Sequence, residues 1–166
     1  GRDHQPAGLL LPFADQLELV KRMKLQVAAS KPLIKRLWQQ TIKAKIKAQA
    51  ANIDEAIPQH GRLINLISEV KSGDSSNVEA QAAKIYWSAW REKFGTFKRD
   101  PDGEDLLNAR LNYGYAIMRA AVARAIVVVG LQPAIGLHHH NRSNAFCLAD
   151  DLLEPLRPLV DQCVIN

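Results

Sequence analysis

Between Leu106 and Val129 the chain reads LLNARLNYGYAIMRAAVARAIVVV, a proline-free stretch with room for about six helical turns. After Tyr115 it is so apolar that the helix is expected to be the central one, covered over most of its circumference. Asp105 stands where an N-cap belongs, and Gly130 stands where a left-handed C-cap ends such a helix. Arg119 and Arg124 interrupt the most apolar window, 116–129, which falls short of a membrane span. No segment alternates with period two, so the expected fold is all-α, one multi-helix domain over residues 1–166.

The other elements follow from the same periodicity. Asp15 caps a helix to about Ala29 that turns Leu17, Leu19, Val20 and Met23 inward. Ser30 opens a second helix to about Ala51, with Pro32 tolerated in its first turn. Ile34, Leu37, Trp38 and Ile42 form its apolar stripe. Lys31, Lys35, Arg36, Lys43, Lys45 and Lys47 occupy other positions, and this basic face reads either as a solvated surface or as a phosphate contact. A polar connection, 52–61, leads to a short helix over 62–71 that stops at Gly73. Ser76 and Glu79 have the capping-box spacing at the start of a helix to about Lys93, which buries Ala82, Ile85, Tyr86 and Ala89. The segment 94–104 is a loop that exposes Lys98 and Arg99. Pro155 and Pro158 make the last helix irregular.

At 166 residues and 47% apolar content the chain can bury one core. A net charge of +5 favours a polyanionic partner. Cys147 and Cys163 are too few for a disulfide framework or a structural zinc site, which fits a reducing, cytoplasmic compartment. The run Leu9–Leu11 is too short for a signal peptide, and with no initiator Met the chain reads as a piece of a longer one. No Gly-rich phosphate loop and no Gly-x-Ser-x-Gly elbow is present. A ferritin-like carboxylate bundle is disfavoured by the lack of a Glu-x-x-His pair.

Imidazoles and carboxylates concentrate in GLHHHNRSNAFCLADDLLEP, from Gly136 onward. Asp151 and Glu154 stand three apart and share a face if this segment is helical from about Leu148, an arrangement suited to a divalent cation. The bland alternatives are a solvated histidine loop and an Asp-Asp pair placed by the helix dipole.

Taken together, NVEAQAAKIYW (Asn77 to Trp87), LNYGYAIMRAAVARAI (Leu111 to Ile126) and GLHHHNRSNAFCLADDLLEPLRPLVD (Gly136 to Asp161) resemble the C-terminal catalytic domain of the CRISPR-associated spacer-acquisition integrase, in wording closest to variants that accompany type II effectors. The resemblance runs from about Pro6 to Val164. It implies that Glu79, His139 and Glu154 hold a divalent ion, Mg²⁺ or Mn²⁺, with Asp151 at a further acidic position that helps the site in some members. His139 is the register taken from the run His138–His140. The site would then be built from the helix starting near 77, the 136–147 loop and the helix after 148. The family's N-terminal β-rich domain is not in this chain.

The implied reaction is attack by the 3′-hydroxyl of new spacer DNA on a phosphodiester at a CRISPR repeat, or hydrolysis when water takes the hydroxyl's place. The implied partners are double-stranded DNA (prespacer and repeat), a second copy in a homodimer, and the small second CRISPR-associated adaptation protein. No membrane is involved. Arg91, Lys98, Arg99 and the Lys43 to Lys47 face are candidate phosphate contacts, with Tyr115 near the site. The competing expectation is a helical DNA-binding or scaffold module without chemistry, in which Glu79 only caps a helix.

Overall fold

A computed structural model describes residues 8, 17–95, 97–103 and 105–165. Asp15 and the Leu17 side chain, both given roles from the sequence, lie outside the described residues. Seven α-helices follow one another there: α1 Leu17–Val27, α2 Lys31–Ala51, α3 Pro58–Glu69, α4 Val78–Phe94, α5 Leu106–Val128, α6 Cys147–Leu153 and α7 Arg157–Ile165. Short 3₁₀ turns, Ser72–Asp74 and Glu154–Leu156, precede α4 and α7, and no strand occurs among the described residues. The fold is all-α, as the missing period-two alternation requires.

Two helix starts are set by local chemistry. The Ser30 hydroxyl accepts the Leu33 amide, and the Asp105 carboxylate accepts the amides of Leu107 and Asn108. Helix α3 begins four residues earlier than the sequence pattern suggests. Pro58 takes its first position, where a missing N–H costs nothing because that donor has no intrahelical partner. Pro155 falls in the 3₁₀ turn that separates α6 from α7, so the last helix is broken as expected.

Helix α2, rather than α5, is the element the others surround: it packs on α3, α4, α6, α7 and both 3₁₀ turns. Trp38, Ile42, Ile46 and Ala50 of α2 meet Leu63 and Leu66 of α3, Val78, Ala82, Tyr86 and Trp90 of α4, and Leu111 and Tyr115 of α5 in one core. A satellite core joins Ala123 and Ile126 to Leu148 and Ala149. The expectation that α5 is the central helix, covered over most of its circumference, is overturned. It packs chiefly on α6 and α7, which leaves Ile117 55% and Val128 77% exposed. Leu37 is likewise part-exposed on α2.

Helix α1 is held by polar contacts. Arg22 donates to the Val129 carbonyl at 2.7 Å, and the Gln26 amide donates to the carbonyls of Gln132 and Ile135. Val20 is therefore exposed rather than inward, while Leu19 and Met23 are half-buried. Gly130 has φ 79°, so the left-handed cap after α5 forms.

Candidate active site

The first turn of α4 delivers Glu79, but not by the capping box. The chain enters through Asp74 and Asn77, both with positive φ, so the N-cap position falls on Asn77, one residue after Ser76. The Asp74 carboxylate takes the amides of Val78 at 2.8 Å and of Glu79 at 3.0 Å. The amide that Ser76 would have capped is thus already held, and the Glu79 carboxylate turns to another partner.

That partner is Lys45 of α2, whose ammonium donates to Glu79 Oε1 at 2.6 Å and also, at short range, to Glu154 Oε2. Two carboxylates from separate elements therefore stand no farther apart than two hydrogen-bond lengths. Arg157 Nε closes on the other Glu154 oxygen at 2.8 Å. Burial opposes ionisation of Glu154, but Lys45 and Arg157 outweigh it and hold the carboxyl below its ordinary range. The reading of Lys45 as part of a solvated or phosphate-binding face is overturned. The buried stripe 38, 41, 42, 45, 46, 49 passes directly through it.

The histidine run is organised by Asp151, which is fully buried. Its Oδ2 accepts the amides of Leu137 at 2.5 Å and His138 at 3.0 Å, and its Oδ1 lies 2.6 Å from His139 Nδ1. A carboxylate only accepts, so a neutral His139 ring carries its proton on Nδ1 and leaves the Nε2 lone pair available. Gly136 makes this close wrapping possible. A Cβ there would collide with the His139 carbonyl oxygen and stand 2.8 Å from Asp151 Oδ2. His138 stacks on Trp38 at 4.4 Å with the rings 3° from parallel, and Trp38 also meets His139 edge-on. The histidines are thus not merely a solvated loop. Asp151 and Glu154, expected as neighbouring ligands, are put to different uses, the first behind His139 and the second facing Lys45.

Two adjoining clefts result. One, of about 270 Å³, is lined by Lys45, Gln49, Glu79, Arg99 and Asp161; the other, of about 320 Å³, by Arg119, His139 and Asp150. Tyr115, Glu154 and Arg157 line both, so Glu154 stands at the junction between Glu79 and His139. Arg119 anchors the His139 side by pairing with Asp150 at 2.5 Å. Asp161 accepts hydrogen bonds from Tyr86 and Tyr115. Burial pushes its carboxyl up to about 6, against those hydrogen bonds and the charges of Arg157 and Arg99.

Glu79 and Glu154 converge on a cation, the ammonium of Lys45, and His139 offers an oriented imidazole beside them. This donor set fits a hard divalent ion in kind. Among the described residues, however, no three His, Cys, Asp or Glu side chains are grouped closely enough to share an ion. Sequence reasoning missed the partnership of Lys45, the anchors Arg119 and Asp150, and Asp161. Arg157 had a readable signal, its i+3 spacing from Glu154.

The sequence profile of the family described as CRISPR associated protein Cas1 matches residues 3–166. The chain belongs to the Cas1 family. It is 46% identical over 164 residues to the CRISPR-associated endonuclease Cas1 of Neisseria meningitidis serogroup C (strain 8013), covering 97% of this chain and 52% of that protein. A Cas1 endonuclease of Pyrobaculum aerophilum is 31% identical, with 96% and 58% covered. The chain thus spans a little over half the length of these Cas1 relatives.

Among solved structures, a casposase bound to integration product matches with TM-score 0.76 at 24% identity, covering 98% of this chain and 50% of that one. The partial Cas6-RT-Cas1–Cas2 complex matches with TM-score 0.82 at 18% identity, covering 99% and 55%. At these identities the structures speak for a shared fold. No helix among the described residues is long and apolar enough to cross a membrane.

Proposed function

We propose that this chain is the catalytic part of a Cas1 enzyme that joins or cuts DNA with a divalent ion, Mg²⁺ or Mn²⁺, whose ligands Glu79, Glu154 and His139 draw together when it binds. The observation that carries this reading is the convergence of Glu79 and Glu154 on one cation beside an imidazole oriented by a buried carboxylate. A bound ion would lower the pKa of the attacking hydroxyl and stabilise charge on the phosphorus centre.

The chain's own groups do the rest. Asp151 fixes the ring and tautomer of His139, Lys45 and then Arg157 keep Glu154 ionised against its burial, and Tyr115 closes the wall between the two clefts. Because the DNA itself carries nucleophile and leaving group, no protein nucleophile is required. A groove lined by Lys84, Arg91, Lys98 and Arg99, with the rings of Trp87 and Phe97, shares Arg99 and Trp87 with the Glu79 cleft. Phosphates are positioned along it towards the carboxylates.

The substrates in this reading are prespacer and repeat DNA, and the partners a second copy of the chain and a Cas2 protein, the component named with Cas1 in one matched assembly. The test is strand joining by the full-length protein with Mn²⁺ or Mg²⁺. Glu79→Ala, His139→Ala and Glu154→Ala are each expected to lower turnover at least a hundredfold while DNA binding survives. Retention of turnover by all three would refute it. A non-catalytic scaffold would bind DNA with a salt-dependent affinity indifferent to chelator.

A further inference from the structure

We propose that Lys45 is a built-in counter-cation for the Glu79–Glu154 pair, and that a divalent ion enters the site by displacing its ammonium. The inference rests on the metal reading of those carboxylates and concerns what the ion must first remove. The oxygens that face each other across the cleft, Glu79 Oε1 and Glu154 Oε2, are the two that Lys45 occupies. An ion bridging these two oxygens, about 2 Å from each, would occupy the space between them that the ammonium now fills.

Charge balance leads to the same conclusion. Glu79, Glu154, Lys45 and Arg157 form a neutral group in which the Lys45 and Glu154 side chains are 11% and 8% exposed. Adding a divalent ion with the ammonium still between the carboxylates would set two cations at contact range, and separating them relieves that repulsion. Arg157 lies on the far oxygen of Glu154 and is not in the way. Lys45 is.

The displaced side chain has somewhere to go. Gln49 lies one turn further along α2, lines the same cleft and is 3% exposed, and its Oε1 is buried with no hydrogen-bond partner among the described residues. A buried acceptor left unpaired is costly, and a lysine one turn away on the same helix face can satisfy it. In the metal-free state the ammonium holds the two carboxylates together; in the loaded state it is released from them.

Mn²⁺ binding to metal-free full-length protein, followed by calorimetry and by the loss of the free-ion EPR signal, tests this. Lys45→Gln is expected to bind Mn²⁺ at least tenfold more tightly than wild type, and equal or weaker binding would overturn the proposal. Glu79→Gln and Glu154→Gln separate it from the reading beneath. If they abolish wild-type binding while Lys45→Gln gains nothing, only the displacement fails; if they leave Mn²⁺ binding intact, the site assignment fails as well. A wild-type measurement covers the case in which Lys45→Gln does not fold. NMR of the lysine ammonium groups of wild type, titrated with Mg²⁺, should show the Lys45 resonance shift as it leaves the carboxylates, and a resonance unchanged at saturating Mg²⁺ would overturn the displacement.

Discussion

Asp151 Oδ1 lies 2.6 Å from His139 Nδ1, and the same buried carboxylate also takes the backbone amides that form the loop carrying that histidine. One side chain therefore fixes the path of the loop and the orientation of the ring. Asp151→Asn keeps the shape but adds an N–H donor facing other donors and removes the charge. Activity is expected to fall about 10–100-fold, as for loss of the group that orients a metal-binding histidine. ¹⁵N NMR of the imidazole should show the Nδ1–H tautomer giving way to a mixture. A tautomer unchanged from wild type would remove Asp151 from this role.

Gly136→Ala places a methyl against the His139 carbonyl oxygen, Asp151 Oδ2 and Cys147 Cβ, none of which is the free end of a flexible chain. Overpacking of this kind costs about 1–3 kcal/mol, and the loop must open to relieve it. Urea unfolding is expected to show a lowered midpoint, and DNA joining a loss larger than the stability change explains.

The start of α4 offers a clean contrast between two residues. Asp74→Ala removes the acceptor for the Val78 and Glu79 amides and should destabilise the fold by about 0.5–2 kcal/mol, whereas Ser76→Ala should stay within about 0.5 kcal/mol of wild type. Equal effects, measured by chemical denaturation, would restore the capping box.

That contrast shows where sequence reading reaches its limit. The caps of Ser30 and Asp105 were legible because each acts on an amide two or three residues away. The cap of α4 was not, because a one-residue shift depends on left-handed backbone at Asp74 and Asn77, which side-chain patterns do not report. Lys45 read as a surface charge because its acceptors lie 34 and 109 residues away, and a lysine in a helical stripe is ordinarily solvated. Glu79 and Glu154 were named by family resemblance, and the spacing of Asp151 and Glu154 suggested a pair that the fold separates. Helix α5 looked central because composition reports how much of a helix is apolar. It does not report which neighbours arrive to cover it.

Asp161 and Glu154 predict opposite slopes of stability with pH. The Asp161 carboxyl is raised from 3.8 to about 6, so the folded state holds its proton more tightly than the unfolded chain does. Its contribution is complete below 3.8 and lost as pH rises to about 6, a change of roughly 3 kcal/mol at about 1.4 kcal/mol per unit. Glu154 is lowered from 4.5, so its contribution is complete above 4.5 and lost as pH falls through its folded value. Wild type should therefore be most stable between about pH 3.8 and 4.5 as far as these two groups decide. Asp161→Asn should flatten the decline towards pH 6 in thermal melts, while Glu154→Gln should flatten the acid side.

The basic groove makes a prediction that separates phosphate contact from a solvated charge face. Arg91 and Lys98 are exposed and line it together with Lys84 and Arg99, and the groove meets the Glu79 cleft at Arg99 and Trp87. Each phosphate neutralised releases condensed counterions, so the logarithm of affinity falls with the logarithm of salt in proportion to the number of contacts. Arg91→Ala and Lys98→Ala should each weaken duplex binding, irrespective of sequence, and reduce the salt slope by about 1. Lys47 is exposed on α2 and is not among the residues that line this groove, so Lys47→Ala serves as the control with an unchanged slope. Fluorescence anisotropy of labelled DNA across a potassium chloride series measures all three. If Lys47→Ala lowers the slope while Arg91→Ala and Lys98→Ala do not, DNA approaches the carboxylates along α2 instead.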